Sequence, residues 1–421
     1  MYDDPSPHQF KGKWKLNHVN NSHFRLTHQS KILIAVYGCF TTASACSNTF
    51  LGIYLWKSSR DLALIGWFTL ALHIAMAFTF WVGGKWIKEY NKMISLRVGI
   101  MFSAVFYVLI LWLSHGSIQY IFILGLIQGI ASGMFWLAFN VIYFEVTNRN
   151  DRDRFNSYTG LLTSIAGMFA PWVSGIIVTR FVNDNGYRII FLISLVIYVI
   201  GVLISLLLNK RQLHGHYEWF FAWECLRKRH TPWRQVSLAL VAQGARDAVF
   251  GFFISLLVYT YTSSEATLGN YMLFTSLVSF ISYWWIGKWI TPRVRRRAMF
   301  IGVLMLVVVM LPLLWEVNGF TLFVFGMGTS ICMPLYALPM LTTVFDLIGS
   351  NQQSAEKREE FVVLRELCLN VGRMLSTSAF IIVASVAQSL EEMMVFLVIV
   401  GCLPWLSWFL ISKKFPFAGV G

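Results

Sequence analysis

Charged residues are scarce. They make up 13% of the 421 residues, whereas a soluble globular chain carries roughly 25%. There is no P-loop, no Gly-rich nucleotide fingerprint and no zinc pattern, so nothing points to ATP-driven pumping. The six cysteines, Cys39, Cys46, Cys225, Cys332, Cys368 and Cys402, form no CxxC pair and read as small buried apolar residues. No basic–aromatic RNA motif is present, so the net charge of +14 is not a nucleic-acid footprint. The alternating ten-residue segments of an outer-membrane barrel are missing as well. Residues 1–30 are polar and lack an apolar core, so no cleavable signal peptide is expected. No cofactor, metal or catalytic residue is expected, and the chain does not read as an enzyme.

What is abundant is apolar sequence, at 57%. A run of about 18 or more apolar residues reads as a membrane helix. Twelve such runs occur, at 31–56, 61–83, 94–115, 118–145, 155–181, 187–209, 236–262, 266–287, 298–316, 319–346, 361–388 and 390–412. The expected fold is therefore an all-α, multi-pass membrane protein. With twelve spans, 27 of the 34 Lys and Arg fall on one side, four (Lys57, Arg60, Arg180, Arg188) fall on the other, and three (Arg246, Arg365, Arg373) lie inside spans. Short loops rich in Lys and Arg stay in the cytoplasm, so both termini are expected there. The expected organisation is a cytoplasmic tail (1–30), a six-helix bundle (31–209), an amphipathic linker (210–235), a second six-helix bundle (236–412) and a short cytoplasmic tail (413–421). The linker combines three Trp with clustered bases, a composition that lies flat among lipid headgroups.

The tetrapeptide GKWI occurs at 84–87 and again at 287–290, 203 positions later. The same offset places Gly66 on Gly269, Gly99 on Gly302 and Phe50 on Phe253. This is a duplication with a period of half the chain, far longer than a solenoid repeat.

Two six-helix halves, internal termini and a basic loop between helices 2 and 3 of each half resemble the major facilitator superfamily. The resemblance covers about 30–412. That family's loop follows the pattern G-x-L-a-D-R-x-G-R-R. Gly84, Trp86, Ile87 and Lys92 are in register, with Asn91 at the second glycine and Lys88 at the aspartate place. The second copy has Gly287, Trp289, Ile290, Arg295 and Arg296, with Thr291 at the aspartate place. Helix 5 carries AGMFAPWVSG at 166–175, similar to the glycine–proline pattern of the family's proton-coupled drug antiporters, with Pro171 at its centre. Helix 4 carries Gln128-Gly129-Ile130-Ala131-Ser132, but Gly125 stands where that branch has arginine. The resemblance implies a bacterial secondary transporter of the plasma membrane, distantly related to that branch.

Ionisable residues inside membrane spans are costly and mark functional sites. Helix 7 contains Arg246 and Asp247. Helix 11 contains Arg365, Glu366, Asn370 and Arg373, of which the last three share one helical face. Asp247 and Arg373 lie at nearly equal depth, roughly 17 and 18 Å from their helix starts, and are expected to pair at the membrane midplane. The first half instead offers a polar stripe on helix 1 (Tyr37, Thr41, Ser44, Asn48), His73 on helix 2, and Trp136 with Asn140 on helix 4. Glu145 and Asp346 end helices 4 and 10 in matching places. They read as gate latches, offset by Arg152, Arg154 and Arg365, with Gly84, Gly287 and Pro171 as further gating positions. The expected function is alternating-access transport of a small, amphipathic organic solute, coupled to protons, directed outward and performed by a monomer among membrane lipids. A lipid or glycolipid flippase and a non-transporting sensor or scaffold remain the alternatives.

Overall fold

The computed structural model describes residues 26–113, 116, 118–147, 152–181, 184–209, 216–227, 232–291, 293–348, 357–387 and 390–412. The side chains of Arg152 and Arg154, expected beside Glu145, lie outside the described residues, as does most of the first tail and all of the last.

The first half contains α1 (His28–Ser59), α2 (Leu62–Glu89), α3 (Lys92–Leu113), α4 (Ile121–Val146), α5 (Arg152–Arg180) and α6 (Asn185–Ser205). A short α7 (Phe221–Arg227) follows. The second half contains α8 (Trp233–Thr262), α9 (Glu265–Trp289), α10 (Arg295–Val308) with the one-turn α11 (Pro312–Trp315), α12 (Gly319–Ile348), α13 (Arg358–Val386), and α14 (Leu390–Gly401) with α15 (Leu403–Ile411). Ten of the resulting spans are long and apolar enough to cross a membrane. The two that fall short, α1 and α9, are 32 and 25 residues long and rich in Ser, Thr and Asn. Their polar groups face other helices, as described below. The breaks at α10–α11 and α14–α15 sit at Pro312 and Pro404, each in the first turn of the second helix. There the ring tolerates the helix start but could not continue the preceding hydrogen-bond ladder.

The duplication is visible in the backbone. Among the described residues, two non-glycine residues have positive φ, Arg60 (55°) and Ser263 (51°), 203 positions apart. Both close a helix in the left-handed region. The next residue in each copy, Asp61 and Ser264, caps the following helix by accepting from Ala63 N–H and Thr267 N–H. One turn design thus serves α1–α2 and α8–α9. The face where α1 begins, and where the α2–α3 and α9–α10 turns lie, is the basic face; the other is the far face.

The two halves meet along α2–α13 and α5–α9. Gly66 and Gly269, equivalent in the duplication, sit at these two contacts. A Cβ on Gly66 would lie 2.5 Å from the Ile381 side chain, and one on Gly269 3.0 Å from the Pro171 carbonyl. Small residues let membrane helices approach this closely. Within the first half, Gly125 faces the Phe68 carbonyl at 2.4 Å from its hypothetical Cβ. The α2–α4 crossing leaves no room there for an arginine.

Candidate functional site: a cavity between the halves

On the far face the halves are closed. Lys57 Nζ at the end of α1 lies 2.9 Å from Glu265 Oε1 at the start of α9. Tyr187 of α6 donates to the same oxygen at 2.8 Å. Beneath them, Trp172 Nε1 of α5 donates to Asn270 of α9 at 3.1 Å, and Gly175 backs onto the Glu265 carbonyl. The α5–α9 hydrogen bonds continue as far as Ser276, whose hydroxyl donates to the Gly167 carbonyl at 3.0 Å. From Leu277 to Trp289, α9 is largely exposed, with Trp284, Trp285 and Trp289 outermost. The helix-5 pattern around Pro171 therefore forms the far-face seam between the halves.

Towards the basic face a cavity of about 740 Å³ opens, walled by the basic-face ends of α1, α4, α5, α12 and α13. Tyr37, Trp136 and Asn140 line it from the first half, and Thr342, Asp346, Arg358 and Arg365 from the second. Tyr37 stacks on Phe139 with ring centroids 4.8 Å apart and meets Trp136 edge-on at 6.0 Å. Its hydroxyl bonds to that of Thr163 at 2.7 Å. One wall is thus aromatic and the other carries guanidinium groups.

The rest of the helix-1 stripe does not join Tyr37. Thr41 bonds back to the Tyr37 carbonyl, Ser44 bonds to Tyr198, and Asn48 accepts from Tyr107 at 3.1 Å. Tyr107 and Tyr198 are fully buried. A buried phenol requires a partner, and these residues supply it.

The charges of α8 and α13 pair locally. Arg365 and Glu366, neighbours in sequence, form an ion pair. Arg246 approaches Asp247 at 4.0 Å, while Gln243 one turn earlier donates to Asp247 at 3.5 Å. Arg246 is 4% exposed, with its guanidinium over the Phe250 ring at 4.5 Å, whereas Asp247 is 29% exposed. The expected Asp247–Arg373 pair is not formed. Arg373 donates to Asn370 Oδ1 at 3.3 Å, on the α13 side facing His73 of α2. Equal depth brought the two residues to one level, but their helix faces point them to different neighbours.

The two latch carboxylates also pair locally in this state. Glu145 pairs with Lys92 of α3, and Asp346 with Arg295 of α10 at 2.6 Å. Both pairs lie within one half, so neither ties the halves together in this state. Lys92 and Arg295 are equivalent in the duplication, whereas Glu145 and Asp346 are two residues out of register, each near the end of its helix. Each base offsets a carboxylate at a helix C-terminus, an unfavourable place for negative charge.

Residues 33–377 match the family profile of the Major Facilitator Superfamily. The chain belongs to that superfamily. It is 32% identical over 358 residues to the uncharacterized protein YqgE of Bacillus subtilis (strain 168), covering 85% of this chain and 83% of that one. It is 37% identical over 161 residues to an uncharacterized protein in the sodM 3' region of Geobacillus stearothermophilus, covering 38% of this chain and 75% of that one. Among solved structures, a D-xylose-proton symporter superposes with a TM-score of 0.70 at 13% identity, over 92% of this chain and 97% of that one. A bacterial homologue of the iron transporter ferroportin in an inward-facing state gives 0.70 at 12% identity, over 93% and 100%. At these identities the likeness is one of fold. Fold and family are those of a multi-pass membrane transporter.

In this superfamily member the two GKWI glycines serve different purposes. Gly84 lies under Tyr217, which precedes α7; a Cβ there would be 2.7 Å from the ring. Tyr217 also donates its hydroxyl to the Trp81 carbonyl at 3.3 Å and its N–H to Glu89 at 3.0 Å. Burial, with Glu360 nearby, pushes the Tyr217 phenol up, so it remains a donor. Gly287 has nothing within 4 Å of the equivalent position. Gly84→Ala is therefore expected to lower the thermal unfolding midpoint, and Gly287→Ala to leave it within error. Equal shifts would show that Tyr217 does not depend on Gly84.

Sequence reasoning missed the strongest tie across the basic face. Lys88 Nζ lies 2.5 Å from Glu360 Oε1 of α13, with side chains 8% and 1% exposed. Above it, Glu218 pairs with Lys357 at 2.5 Å and Trp219 packs on Trp81, so the segment before α7 straps α2 to α13. The available signal was Lys88 itself, a base at the aspartate place, which calls for an acid on the facing helix.

Proposed function

We propose that the chain is a monomeric secondary transporter of a bacterial plasma membrane, exporting a small amphipathic organic solute by alternating access in exchange for protons. The observation that carries this reading is the cavity between the halves, open on the basic face and closed on the far face by Lys57, Glu265 and Tyr187. Rocking of two bundles about a central site is how such a geometry transports. The distribution of Lys and Arg supports a cytoplasmic basic face with cytoplasmic termini, and on that reading the cavity faces inward. The aromatic wall suits an apolar body, and the guanidinium groups suit a polar end. The likeness of α5 to the drug-antiporter pattern favours export.

Asp247 is the candidate coupling carboxylate. It is the membrane-embedded acid least enclosed by its partners, being 29% exposed against 9% for Glu366. In proteoliposomes with a solute found by a thermal-shift screen, Asp247→Asn is expected to abolish pH-driven uphill transport while retaining energy-independent exchange. Full uphill transport by this variant would move the coupling role to another group, with Glu366 next in line.

A further inference from the structure

The membrane-embedded charges of the second half do not balance. Arg246, Arg365 and Arg373 supply three cations, while Asp247 and Glu366 supply two carboxylates. Arg365 is held by Glu366, and Asp247 lies beside Arg246. Arg373 is left with one neutral contact, Asn370 at 3.3 Å. Among the described residues no carboxylate comes within ion-pair distance of it. A guanidinium at that depth without a counter-ion is costly, and membrane proteins keep such groups for function.

Its surroundings point to the missing partner. Arg373 follows Val362, a cavity-lining residue, by 11 positions. Eleven residues are close to three whole helical turns, so the two side chains share one face of α13, with Arg373 about 16 Å deeper. Arg373 is half-buried and lies deeper than the residues that line the cavity. Across the seam between the halves, His73 of α2 faces both Asn370 and Arg373. His73 is buried, and its Nδ1 has no hydrogen-bond partner. His73 and Arg373, one from each half, thus converge on Asn370 without bonding one another. Asp247 is near enough for its charge to be felt, yet it sits with Arg246 and Gln243. Counted from the basic ends of α13 and α4 at 1.5 Å per residue, Arg373 lies roughly 8 Å deeper than Trp136. That separation matches a small aryl acid, its ring near Tyr37, Trp136 and Phe139 and its charged end inward.

We infer that Arg373 anchors the anionic group of the cargo, and that the cargo is an amphipathic organic anion with an aromatic body. This assignment rests on the transport reading above and narrows it to one charge class. An anion completes the unpaired guanidinium and can accept a further hydrogen bond from His73. A cation would add to an existing excess of positive charge. The anchor also lies where the two halves meet, so an anion bound there contacts both.

The test uses the purified full-length protein and three isosteric probes: 1-naphthoate, 1-naphthamide and 1-naphthylmethylammonium, measured by equilibrium dialysis. Naphthoate is expected to bind roughly tenfold or more tighter than the amide, the scale of one charge-assisted bidentate contact. Arg373→Gln should bring naphthoate down to the level of the amide without changing amide affinity. Arg373→Lys should keep part of the preference, because it retains the charge but not the fork. Tightest binding of the ammonium probe, equal binding of all three, or no naphthoate binding by the unaltered protein overturns the inference. So does an Arg373→Gln variant that keeps the preference. Flux assays separate this from the transport reading. Anion-selective binding without flux leaves the site standing and removes the transporter, whereas flux of neutral or cationic solutes alone does the reverse.

Discussion

Lys88→Glu is expected to destabilise the protein by about 3–5 kcal/mol and to part the basic ends of α2 and α13, and adding Glu360→Lys should recover most of both effects. The parent pair is nearly water-free, at 2.5 Å with side chains 8% and 1% exposed. Lys88 holds Glu360 Oε1, and the buried Oε2 has no hydrogen-bond partner, so removing Lys88 strands a buried charge. The parent polarity has a local cause. Lys88 lies in the last turn of α2 and Glu360 in the first turn of α13. A base at a helix C-terminus and an acid at an N-terminus both complement the helix dipole. The swapped pair opposes both dipoles, so the double variant should fall about 1–2 kcal/mol short of the parent, two terms of the usual size. Unfolding in detergent gives the stabilities, and distances between spin labels on the ends of α2 and α13 give the separation. Parent-like stability of Lys88→Glu alone would show that the pair is inert.

That pair also accounts for where the cavity opens. The residue equivalent to Lys88 in the second half is Thr291, which carries no charge to hold the basic ends of α9 and α5 together. The α2–α13 seam is tied on this face by Lys88, Glu360 and the strap at Glu218–Lys357. Among the described residues the α5–α9 hydrogen bonds stop at Ser276.

These details show what the sequence could and could not convey. Membrane spans depend on local composition, so ten of the twelve apolar runs fall on α1–α6, α8, α9, α12 and α13, and the other two are split at Pro312 and Pro404. The duplication was legible because Gly66 and Gly269 serve equivalent backbone contacts, and Arg60 and Ser263 later proved to share one turn. Ion pairing was not legible. Lys88 and Glu360 are 272 residues apart, and their encounter depends on how the halves dock. For Asp247 and Arg373, a rise of 1.5 Å per residue supplied depth but no azimuth. Local partners, Arg246 at i−1 and Asn370 at i−3, then captured each group. Tyr37, Trp136 and Asn140 were found because a polar or aromatic group on an otherwise apolar helix must face something. Asn48 satisfied that rule by bonding Tyr107 instead of lining the cavity.

Gly372→Ala, a single added methyl group, is expected to leave little folded protein, although alanine is the better helix former by about 1 kcal/mol. A Cβ at Gly372 would lie 1.9 Å from the Val241 carbonyl oxygen, and one at Gly244 would lie 2.0 Å from the Leu369 carbonyl oxygen. The contact is reciprocal: each helix presses a glycine onto the other's backbone, one turn apart. Real Cβ contacts essentially never fall under 3.0 Å, so α8 and α13 would have to separate by about an ångström along their whole crossing. Backbone carbonyls cannot rotate away as a flexible side chain can. The crossing also sets the site, because Asp247 follows Gly244 by three residues and Arg373 follows Gly372 directly. Gly251 on the same α8 is exposed and has nothing within 4 Å of its Cβ direction. Gly251→Ala should therefore gain up to about 1 kcal/mol from helix propensity, or stay neutral. The yield of monodisperse protein and the thermal midpoint distinguish the two variants. If both show the same midpoint, the α8–α13 backbones are not in contact, and the crossing that positions Asp247 and Arg373 fails with them.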